Sequence, residues 1–398
     1  MRVTPSLNQS QFLAAIESLQ SNLSQTQNQI TSGLSFTTAS QNPTAAGAVN
    51  NYNQALAQSQ QYVTNSSSAQ TRLSTEDSTL SQVQTQLQSL RDLALEANNS
   101  TLSNGDRSAI ATQAKQIQAT LATLANTQDG NGEYLFSGFA TQTQPFTLTA
   151  SGATYNGDQG NRVVQIAPGQ TIADGDNGNA VFNQIKTGNG TFAATASAAN
   201  TGTGVLGATT VSAAAGTYDG GTYSINFTAP GTYEVRDSNN VLVTSGSYTS
   251  GGSISFLGVQ VTITGTPATS DSFSVAPSTD QSVFTTVQNM VNALQTGSGT
   301  SVDTAKLNNA LAAGINNIDQ ALGSLSNVRA SVGARLNTIT TQQSVAGTQQ
   351  IQLQSSISTL QGLDYASAIT TLNQQNTTLS AALQAYSLTQ SLSLFKYI

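Results

Sequence analysis

The stretch LSNVRASVGARLNTITTQQSVAGTQQIQLQSSISTL, residues 325–360, carries an apolar side chain at every seventh position. Leu336 and Ile357 fill some of the second apolar positions of this heptad, whereas Gln343 and Gln350 interrupt the others. A sustained seven-residue repeat places its apolar side chains along one side of an α-helix. The stretch therefore predicts a long coiled-coil-like helix that needs a partner helix along its length. The heptad series is Leu325, Val332, Ile339, Ala346, Leu353 and Leu360.

Similar stripes predict three helices in the N-terminal part of the chain. The first stripe recurs at steps of three, four and seven residues, and the second follows a heptad. Ser103 or Asn104 is placed to cap the third helix. The three stripes are Phe12, Ile16, Leu19, Leu23 and Ile30; Leu73, Leu80, Val83, Leu87 and Leu90; and Ile110, Ala114, Ile117, Leu121 and Leu124.

The C-terminal segment is unusually apolar for a chain end. A stripe runs through Ile369, Leu372, Leu379, Leu383 and Tyr386, and residues 391–398 read SLSLFKYI. Chain ends usually fray into water, which leaves an apolar end uncovered in a monomer. We therefore expect both ends to be assembly helices that are disordered in the monomer. The expected interface consists of the first stripe, Phe12 to Ile30, this last stripe, and Leu392, Leu394 and Phe395.

The middle of the chain changes to the two-residue period of β-strands. Apolar residues alternate in TYSINFTAPGTYEVRDSNNVLVTSGSY, residues 222–248, and in SISFLGVQVTITG, residues 253–265. Turns are predicted at Pro230-Gly231 and at Asn239-Asn240, and a turn or bulge at Gly258. The stretch FAATASAANTGTGVLGATTVSAAAG, residues 192–216, has neither period, and we expect it to be a weakly structured connection.

These patterns predict an α+β fold, in which a long antiparallel coiled-coil-like helical bundle from both chain ends carries an inserted all-β domain. We expect residues 1–50 and 365–398 to be the terminal assembly helices, residues 51–145 and 280–364 to form the helical bundle domain, and residues 146–279 to form the inserted β domain. Proline marks the same division, since none lies between Pro43 and Pro145 or after Pro277.

The composition excludes most enzymes and argues against nucleic acid as a partner. The chain has no cysteine and no histidine, which removes thiolate nucleophiles, the usual general base and the commonest zinc ligand. A formal net charge of -7 without a basic cluster is unsuited to binding phosphates. No stretch has the length of a membrane span, and the N-terminus lacks the apolar core of a secretory signal. We expect no catalysis, no metal and no cofactor, and neither nucleic acid nor membrane as a partner.

Charged residues are missing from the helical ends in particular. None lies between Glu17 and Arg72 or between Arg335 and Asp364, and only Lys396 follows Asp364. Because helices in water normally carry a charged face, these faces are either solvated neutral surfaces or surfaces covered by other subunits. The second interpretation is favoured, since the effect is strongest at both ends together. A head-to-tail contact between such helices generates a helical assembly.

Several motifs in the same order resemble those of the flagellin superfamily and, within it, of the hook-filament junction family. LSQTQNQITSGLSFTTASQNPTAAGAV, residues 23–49, resembles the family's glycine turn and proline-containing restart, at Gly33 and Pro43. NGEYLFSGFATQTQPF, residues 131–146, is similar to the family's hallmark, and NVRASVGARLNTI, residues 327–339, to its C-terminal motif. The other matching residues are Tyr134, Phe136, Ser137, Gly138, Arg335, Leu336 and Asn337.

This resemblance implies a structural protein of the bacterial flagellum, exported unfolded by the flagellar type III apparatus, that forms a ring between hook and filament. The implied partners are the first hook-associated protein, flagellin, the filament cap and an export chaperone that holds the C-terminal segment, besides further copies of the chain. The implied location is the extracellular flagellum.

Two alternatives stay open at this point. Flagellin, the filament subunit, shares the helical ends. The β insert is alternatively a carbohydrate- or host-binding module, because the Tyr and Phe residues of its strands suit either a ligand surface or a sandwich core.

Acidic residues in the insert are interpreted as turn and surface residues. The segment ADGDNGN, residues 173–179, hints at a calcium loop, but it lacks the glycine and glutamate that an EF-hand needs at fixed positions. We expect a solvated turn there. The carboxylates Asp158, Asp219, Glu234 and Asp271 show no pattern that raises them above hairpin-turn and surface positions.

Overall fold

The computed structural model describes residues 5–99, 101–296 and 299–391. Within these ranges it contains six α-helices: α1 (Pro5–Ser32), α2 (Pro43–Ala97), α3 (Asn104–Ala125), α4 (Val283–Gln295), α5 (Ser301–Gln361) and α6 (Tyr365–Ser391). None of the helices in these ranges combines the length and the apolar character that crossing a bilayer requires. The predicted cap of α3 is confirmed at Ser103, which exchanges side-chain and backbone hydrogen bonds with Asp106 in a capping box.

Fourteen strands lie between α3 and α4 in the described chain, and their pairings are antiparallel. The larger sheets have the orders β10-β9-β8-β13-β6 and β11-β12-β7, and the pairs β1-β2, β3-β4 and β5-β14 form small sheets. The strands are β1 (Phe146–Thr149), β2 (Gly152–Tyr155), β3 (Val163–Ala167), β4 (Gln170–Ala173), β5 (Ile185–Lys186), β6 (Phe192–Ala196), β7 (Val205–Val211), β8 (Tyr223–Ala229), β9 (Thr232–Asp237), β10 (Leu242–Ser247), β11 (Ser253–Phe256), β12 (Val259–Thr264), β13 (Ser272–Pro277) and β14 (Asp280–Gln281).

The chain divides into two compact units, residues 1–64 with 341–398, and residues 65–340. We call them the terminal unit and the central unit. The division falls within α2 and α5, so it differs from the domains expected from composition. The central unit holds the β-strands together with a large part of the predicted helical bundle.

The central unit is built on the predicted heptads. Leu73, Leu80 and Leu87 of α2 are buried with Leu325 and Val332 of α5 in one hydrophobic core. Two ion pairs join these helices in antiparallel orientation: Arg91 Nε lies 2.6 Å from Asp319 Oδ1, and Arg329 Nε lies 2.9 Å from Asp77 Oδ1. The coiled-coil prediction is confirmed for this part of the chain.

The β insert contributes to two separate cores. Phe146, Phe182 and Ile185 join the core of the helices, where Phe146 and Phe284 of α4 have ring centroids 5.2 Å apart. Residues of β6 to β13 form a second core around Phe192, Phe227 and Phe273. The two halves of the insert therefore differ, since the first half is an extension of the helical core and the second half packs on itself.

The expectation for residues 192–216 is wrong. This stretch contains β6 and β7, which pair with β13 and β12. Its alanines and threonines give no periodic signal, and the strands form because their backbones complete the ladders of strongly patterned neighbours. Helix α4 lies within the expected helical bundle of residues 280–364, and Val283, Val287, Val291 and Leu294 bury one face of it.

Candidate assembly interface

The terminal helices α1 and α6 form an antiparallel pair. Gln9 Nε2 donates to Tyr386 Oη at 3.4 Å near one end, and Leu363 N donates to Gly33 O at 3.1 Å beyond the other. The structure thus brings the first and last predicted stripes onto one pair of helices. Ile16 is buried, and Leu19, Leu23, Ile30, Leu372, Leu379 and Tyr386 are half-buried.

Large apolar side chains of this pair also face solvent. Their exposed fractions range from 37% for Phe12 to 63% for Leu388. Glu17 is the single charged residue in residues 5–32 and 365–391. The exposed leucine, isoleucine and phenylalanine side chains are Leu7, Phe12, Leu13, Ile369, Leu383 and Leu388, and Tyr365 of α6 is also exposed. Leu392, Leu394 and Phe395 lie outside the described residues.

The helix pair buries little of its own surface. Among the described side chains of α1 and α6, the buried ones are Ile16, Thr26 and Ala368. In proteins, helices owe most of their stability to an apolar face that packs on something else. The pair α1 and α6 therefore has a weak core of its own and a neutral, partly apolar outer surface.

The elbow, residues 33–36 and 361–364, connects this pair to the longer helices. Ser35 N donates to Gln361 O at 2.8 Å, and Leu34 and Gly362 form an antiparallel bridge. Gly33 has a φ of 71°, and a Cβ at this position would lie 2.9 Å from the hydroxyl of Tyr365. Glycine is needed here because the backbone is left-handed and the space beside it is occupied.

A small core seals the elbow. Phe36, Ala45 and Val49 are buried together, with Ile357 and Leu360 packed against them. Asn42 Oδ1 accepts from Ala45 N at 3.1 Å, and Pro43 is the first residue of α2. Asp364 Oδ1 accepts from Ala366 N at 3.0 Å at the start of α6. The motif residues Gly33 and Pro43 thus fix the turns at both ends of one short connection.

The other motif residues lie in the central unit, where most are structural. Phe136 and Ser137 are fully buried, and Gly138 adopts a φ of 71°. Leu336 packs against the helical core. Tyr134 contributes its backbone carbonyl, which accepts from Arg72 Nη2 at 2.9 Å, and Asn337 lies in α5.

A network of ion pairs surrounds this motif. Arg72 Nη1 lies 2.6 Å from Asp129 Oδ2, and Arg162 bridges Glu133 at 2.6 Å and Asp174 at 2.8 Å. Further pairing joins Arg335 to Asp176. The network connects α2, α5 and the loops after α3 within the central unit.

Two expectations about acidic residues are wrong. The segment 173–179 is not a solvated turn, because Asp174 and Asn177 are buried and Asp174 pairs with Arg162. Asp271 is not a surface residue: it is 2% exposed, and its carboxylate accepts from three backbone N–H groups. Buried acidic residues are rare enough that a sequence pattern without a partner signal gives no warning of them.

Glu76 has an unusual setting in this network. Its side chain is 1% exposed, and Oε1 accepts from Asp176 N at 3.2 Å. Burial, reinforced by the neighbouring Asp176 carboxylate, raises the pKa of Glu76 well above its usual value.

The geometry gives no support to the calcium loop or to the carbohydrate-binding surface that the sequence raised for the β insert. In the described ranges, no group of three or more Asp or Glu side chains is arranged to hold a metal ion. Tyr223, Phe227, Phe256 and Phe273 of the strands are buried in the second core. The aromatic residues that made a carbohydrate-binding surface conceivable are therefore core residues.

Three family models match the chain. Residues 4–141 match the bacterial flagellin N-terminal helical region, and residues 315–398 match the bacterial flagellin C-terminal helical region. Residues 195–277, which coincide with most of the second core, match the D2-like domain of flagellar hook-associated protein 1. The terminal helices and the elbow thus carry the flagellin signature.

Comparison with solved structures identifies a more specific family than the flagellin models do. The crystal structure of Xanthomonas campestris FlgL is 37% identical to this chain, covers 77% of it and 99% of its own length, and superposes with a TM-score of 0.74. The chain belongs to the flagellar hook-associated protein 3 (FlgL) family. Hook-associated protein 3 from Legionella pneumophila is 30% identical, with 78% of this chain and 98% of that protein covered and a TM-score of 0.74.

Curated FlgL-family relatives match a shorter part of the chain. Flagellar hook-associated protein 3 of Salmonella typhimurium is 34% identical over 185 residues, which are 46% of this chain. Its counterpart in Escherichia coli is 32% identical over 185 residues. The match spans 58% of the length of each of these relatives.

Proposed function

We propose that this chain is a structural, non-enzymatic protein of the bacterial flagellum that forms the junction between hook and filament. The observation that carries the proposal is the outer surface of α1 and α6, which exposes six large apolar side chains on helices whose single charged residue is Glu17. Membership of the FlgL family supports the same role.

The assembly surface in this proposal consists of the predicted stripes together with Leu7, Leu13 and Leu388. Covering six half-exposed apolar side chains contributes on the order of 5 to 9 kcal/mol. Association itself costs about 4 to 15 kcal/mol in lost freedom of motion. One contact of this size is therefore marginal, and stable assembly needs each copy to contact several neighbours at once, as in a ring or helical tube.

The proposal assigns to each part of the chain the role that was expected from the sequence. Residues 1–50 and 365–398 assemble, residues 51–145 and 280–364 form the supporting bundle, and residues 146–279 are carried on it. The proposed partners are the first hook-associated protein on one side and flagellin, or the filament cap before it, on the other. Unfolded export with a chaperone on the C-terminal segment is part of the same proposal, as is an extracellular location.

Deletion of the gene in its own bacterium is the test. We expect hooks without filaments and flagellin shed into the medium, with both defects repaired by the intact gene. Normal filaments in the deletion strain would contradict the proposal.

A variant tests the surface itself. Replacing Leu13, Ile369 and Leu383 by serine should leave the deletion defect unrepaired. Replacing Val211 and Val241, which are 54% and 59% exposed in the central unit, serves as the matched control and should repair it. If both variants repaired the defect equally, the terminal helices would not form the assembly interface.

A further inference from the structure

Two buried polar atoms next to Gly175 have no hydrogen-bond partner within the described chain. They are Arg72 Nε and Glu76 Oε2, and the two residues are 5% and 1% exposed. The other polar atoms of both side chains are satisfied: Arg72 Nη1 and Nη2 donate to carboxylate and carbonyl oxygens, and Glu76 Oε1 accepts from Asp176 N. Buried polar atoms in folded proteins nearly always bond to protein or to ordered water. These two atoms therefore indicate a place where a small bound molecule is needed.

The space between these atoms is open, although Gly175 itself is buried. A Cβ at this position would lie 3.5 Å from Arg72 Nε, 3.7 Å from Glu76 Oε2 and 3.7 Å from Leu135 O, the nearest atoms outside the adjoining residues. These are ordinary van der Waals distances, so a methyl group would fit. A water molecule is no larger than a methyl group, but its site must be polar as well as roomy. This space, which we call the Gly175 gap, meets both conditions because all three lining atoms are polar.

The backbone does not require glycine at this position. Gly175 is not among the residues with a positive φ, and a Cβ would meet no atom at a forbidden distance. Alanine at such a position normally stabilises a protein, because it reduces the freedom of the unfolded chain. What the missing Cβ preserves is the open space in front of Arg72 Nε and Glu76 Oε2.

The lining atoms specify the chemistry of the bound molecule. It must accept a hydrogen bond from Arg72 Nε and donate hydrogen bonds to Glu76 Oε2 and Leu135 O. A cation is repelled by the guanidinium group, and an anion is repelled by the carboxyl and carbonyl oxygens. Water both donates and accepts, so it suits all three atoms. Protonation of Glu76 leaves this requirement unchanged, because Oε2 can still accept and the Arg72 N–H still needs an acceptor.

We propose that one buried water molecule binds in the Gly175 gap, accepts from Arg72 Nε and donates to Glu76 Oε2 and Leu135 O. Three hydrogen bonds are the usual number for a buried water. The water connects α2 to two separate loops, the motif segment 131–146 and the segment 173–179. The site lies within the central unit and does not depend on the proposed function at the flagellar junction.

The substitution Gly175→Ala tests the site in the full chain, because its Cβ takes the space of the water without a clash. Loss of the water leaves a buried donor and a buried acceptor unpaired. We expect the unfolding equilibrium constant of the central unit, measured in urea, to rise roughly 5- to 30-fold. A gap that holds no water predicts the opposite sign, a fall of roughly 2- to 5-fold. A variant as stable as the parent, or more stable, overturns the inference.

The substitution Gly175→Ser separates the loss of water from the mere presence of a Cβ. Its hydroxyl both donates and accepts, so it can replace the water, and the serine variant should be more stable than the alanine variant. The matched control is the same pair of substitutions at Gly323 of α5, which has open space around it. There alanine should be more stable than serine, because it is the better helix former. Serine no more stable than alanine at position 175 overturns the inference.

A crystal structure of the full parent chain, at a resolution that shows ordered water, locates the bound molecule directly. We expect a water oxygen about 2.7–3.2 Å from Arg72 Nε and within hydrogen-bond distance of Glu76 Oε2. Crystals soaked in bromide should show no anomalous peak in the gap. A gap without density overturns the inference, and so does a bromide peak, because the bound molecule would then be an anion.

Discussion

Glu76 is a buried carboxyl whose ionisation the fold disfavours, and this has a consequence for stability. Because the pKa of Glu76 is raised in the folded chain, the folded state keeps a proton that the unfolded state releases above its ordinary pKa of ~4.3. Stability therefore falls as the pH rises through the window between the unfolded and folded pKa values. The fall is complete above the folded pKa.

Glu76→Gln should remove this pH dependence. Glutamine cannot ionise, so the variant should gain stability relative to the parent between about pH 4 and about pH 8. Urea unfolding at both pH values measures the difference. Glu96→Gln, an exposed position on the same helix, is the control and should follow the parent at both. An unchanged difference between the Glu76 variant and the parent at the two pH values would mean that the fold does not raise the pKa of Glu76.

Gly33→Ala should loosen the elbow. The left-handed backbone at Gly33 costs an L-residue about 1–2 kcal/mol, and the new Cβ would press on Tyr365. In the assembled protein, where these residues are ordered, hydrogen exchange of residues 5–32 and 365–391 should accelerate roughly 5- to 30-fold. Gly47→Ala is the matched control, because Gly47 lies in α2 with open space around it and alanine favours a helix by roughly 0.5–1 kcal/mol. Equal exchange in the two variants would show that Gly33 does not hold the terminal helices.

At the scale of elements, the helices and strands that the sequence predicts are those whose own residues carry a periodic apolar pattern. The heptads of α2 and α5 and the alternation of β8, β9 and β12 predict helices and hairpins because each element carries one apolar face. Strands β6 and β7 are built from alanine and threonine and depend on partners distant in sequence. The elbow depends on two loops separated by most of the chain, so Gly33 is recognisable as a turn while its contact with Tyr365 is not.

The apolar stripes also predict which side chains line a helix pair, but they do not predict how deeply each side chain is buried. Ile16 is buried while Phe12 and Leu383 of the same stripes are exposed. Periodicity gives the direction of a side chain, whereas burial depends on how many elements surround the helix. The described chain supplies one partner for α1, which is too few to cover a stripe on both flanks.

Asp271→Asn should destabilise the second core selectively. Asp271 Oδ1 accepts from Thr201 N at 2.8 Å, and Oδ2 accepts from Gly202 N at 3.0 Å and Ala268 N at 2.9 Å. An asparagine must turn its amide N–H₂ toward at least one of these donors, which costs about 1–3 kcal/mol. Thermal unfolding and hydrogen exchange of residues 192–277 measure the loss.

The control for this prediction is Asp237→Asn. Its Oδ1 alone accepts from Asn239 N at 2.9 Å and Val241 N at 2.8 Å, and the amide oxygen of asparagine can keep both bonds. Its effect should stay within about 0.5 kcal/mol, as for ordinary surface substitutions. A larger loss at Asp237 than at Asp271 would mean that the buried carboxylate does not hold the two loops together.

For the whole molecule, the contrast in burial predicts where the monomer opens first. The central unit has two large cores, whereas α1 and α6 bury Ile16, Thr26 and Ala368 among their described side chains. Segments with few buried apolar contacts open with the smallest free energy. Limited proteolysis of the monomer should therefore remove about the first 35 and the last 30 residues, the lengths of the two end helices, before it cuts residues 65–340. Equal protease resistance along the whole chain would contradict the prediction that the terminal helices become ordered only on assembly.

Assembly and folding should consequently respond to different parts of the chain. Truncation after Leu388 removes an apolar end that the central unit does not include. The central unit of the truncated protein should unfold at the same midpoint as that of the parent. In the deletion strain the truncated protein should form no filaments, because export or assembly is impaired. Serine at Leu392, Leu394 and Phe395 should reproduce the defect, because covering an apolar side chain stabilises by ~1.5–3 kcal/mol that serine cannot supply. Lys396→Ser, in the same segment, should restore filaments. Normal filaments from the truncated chain would show that the apolar end has no role in assembly.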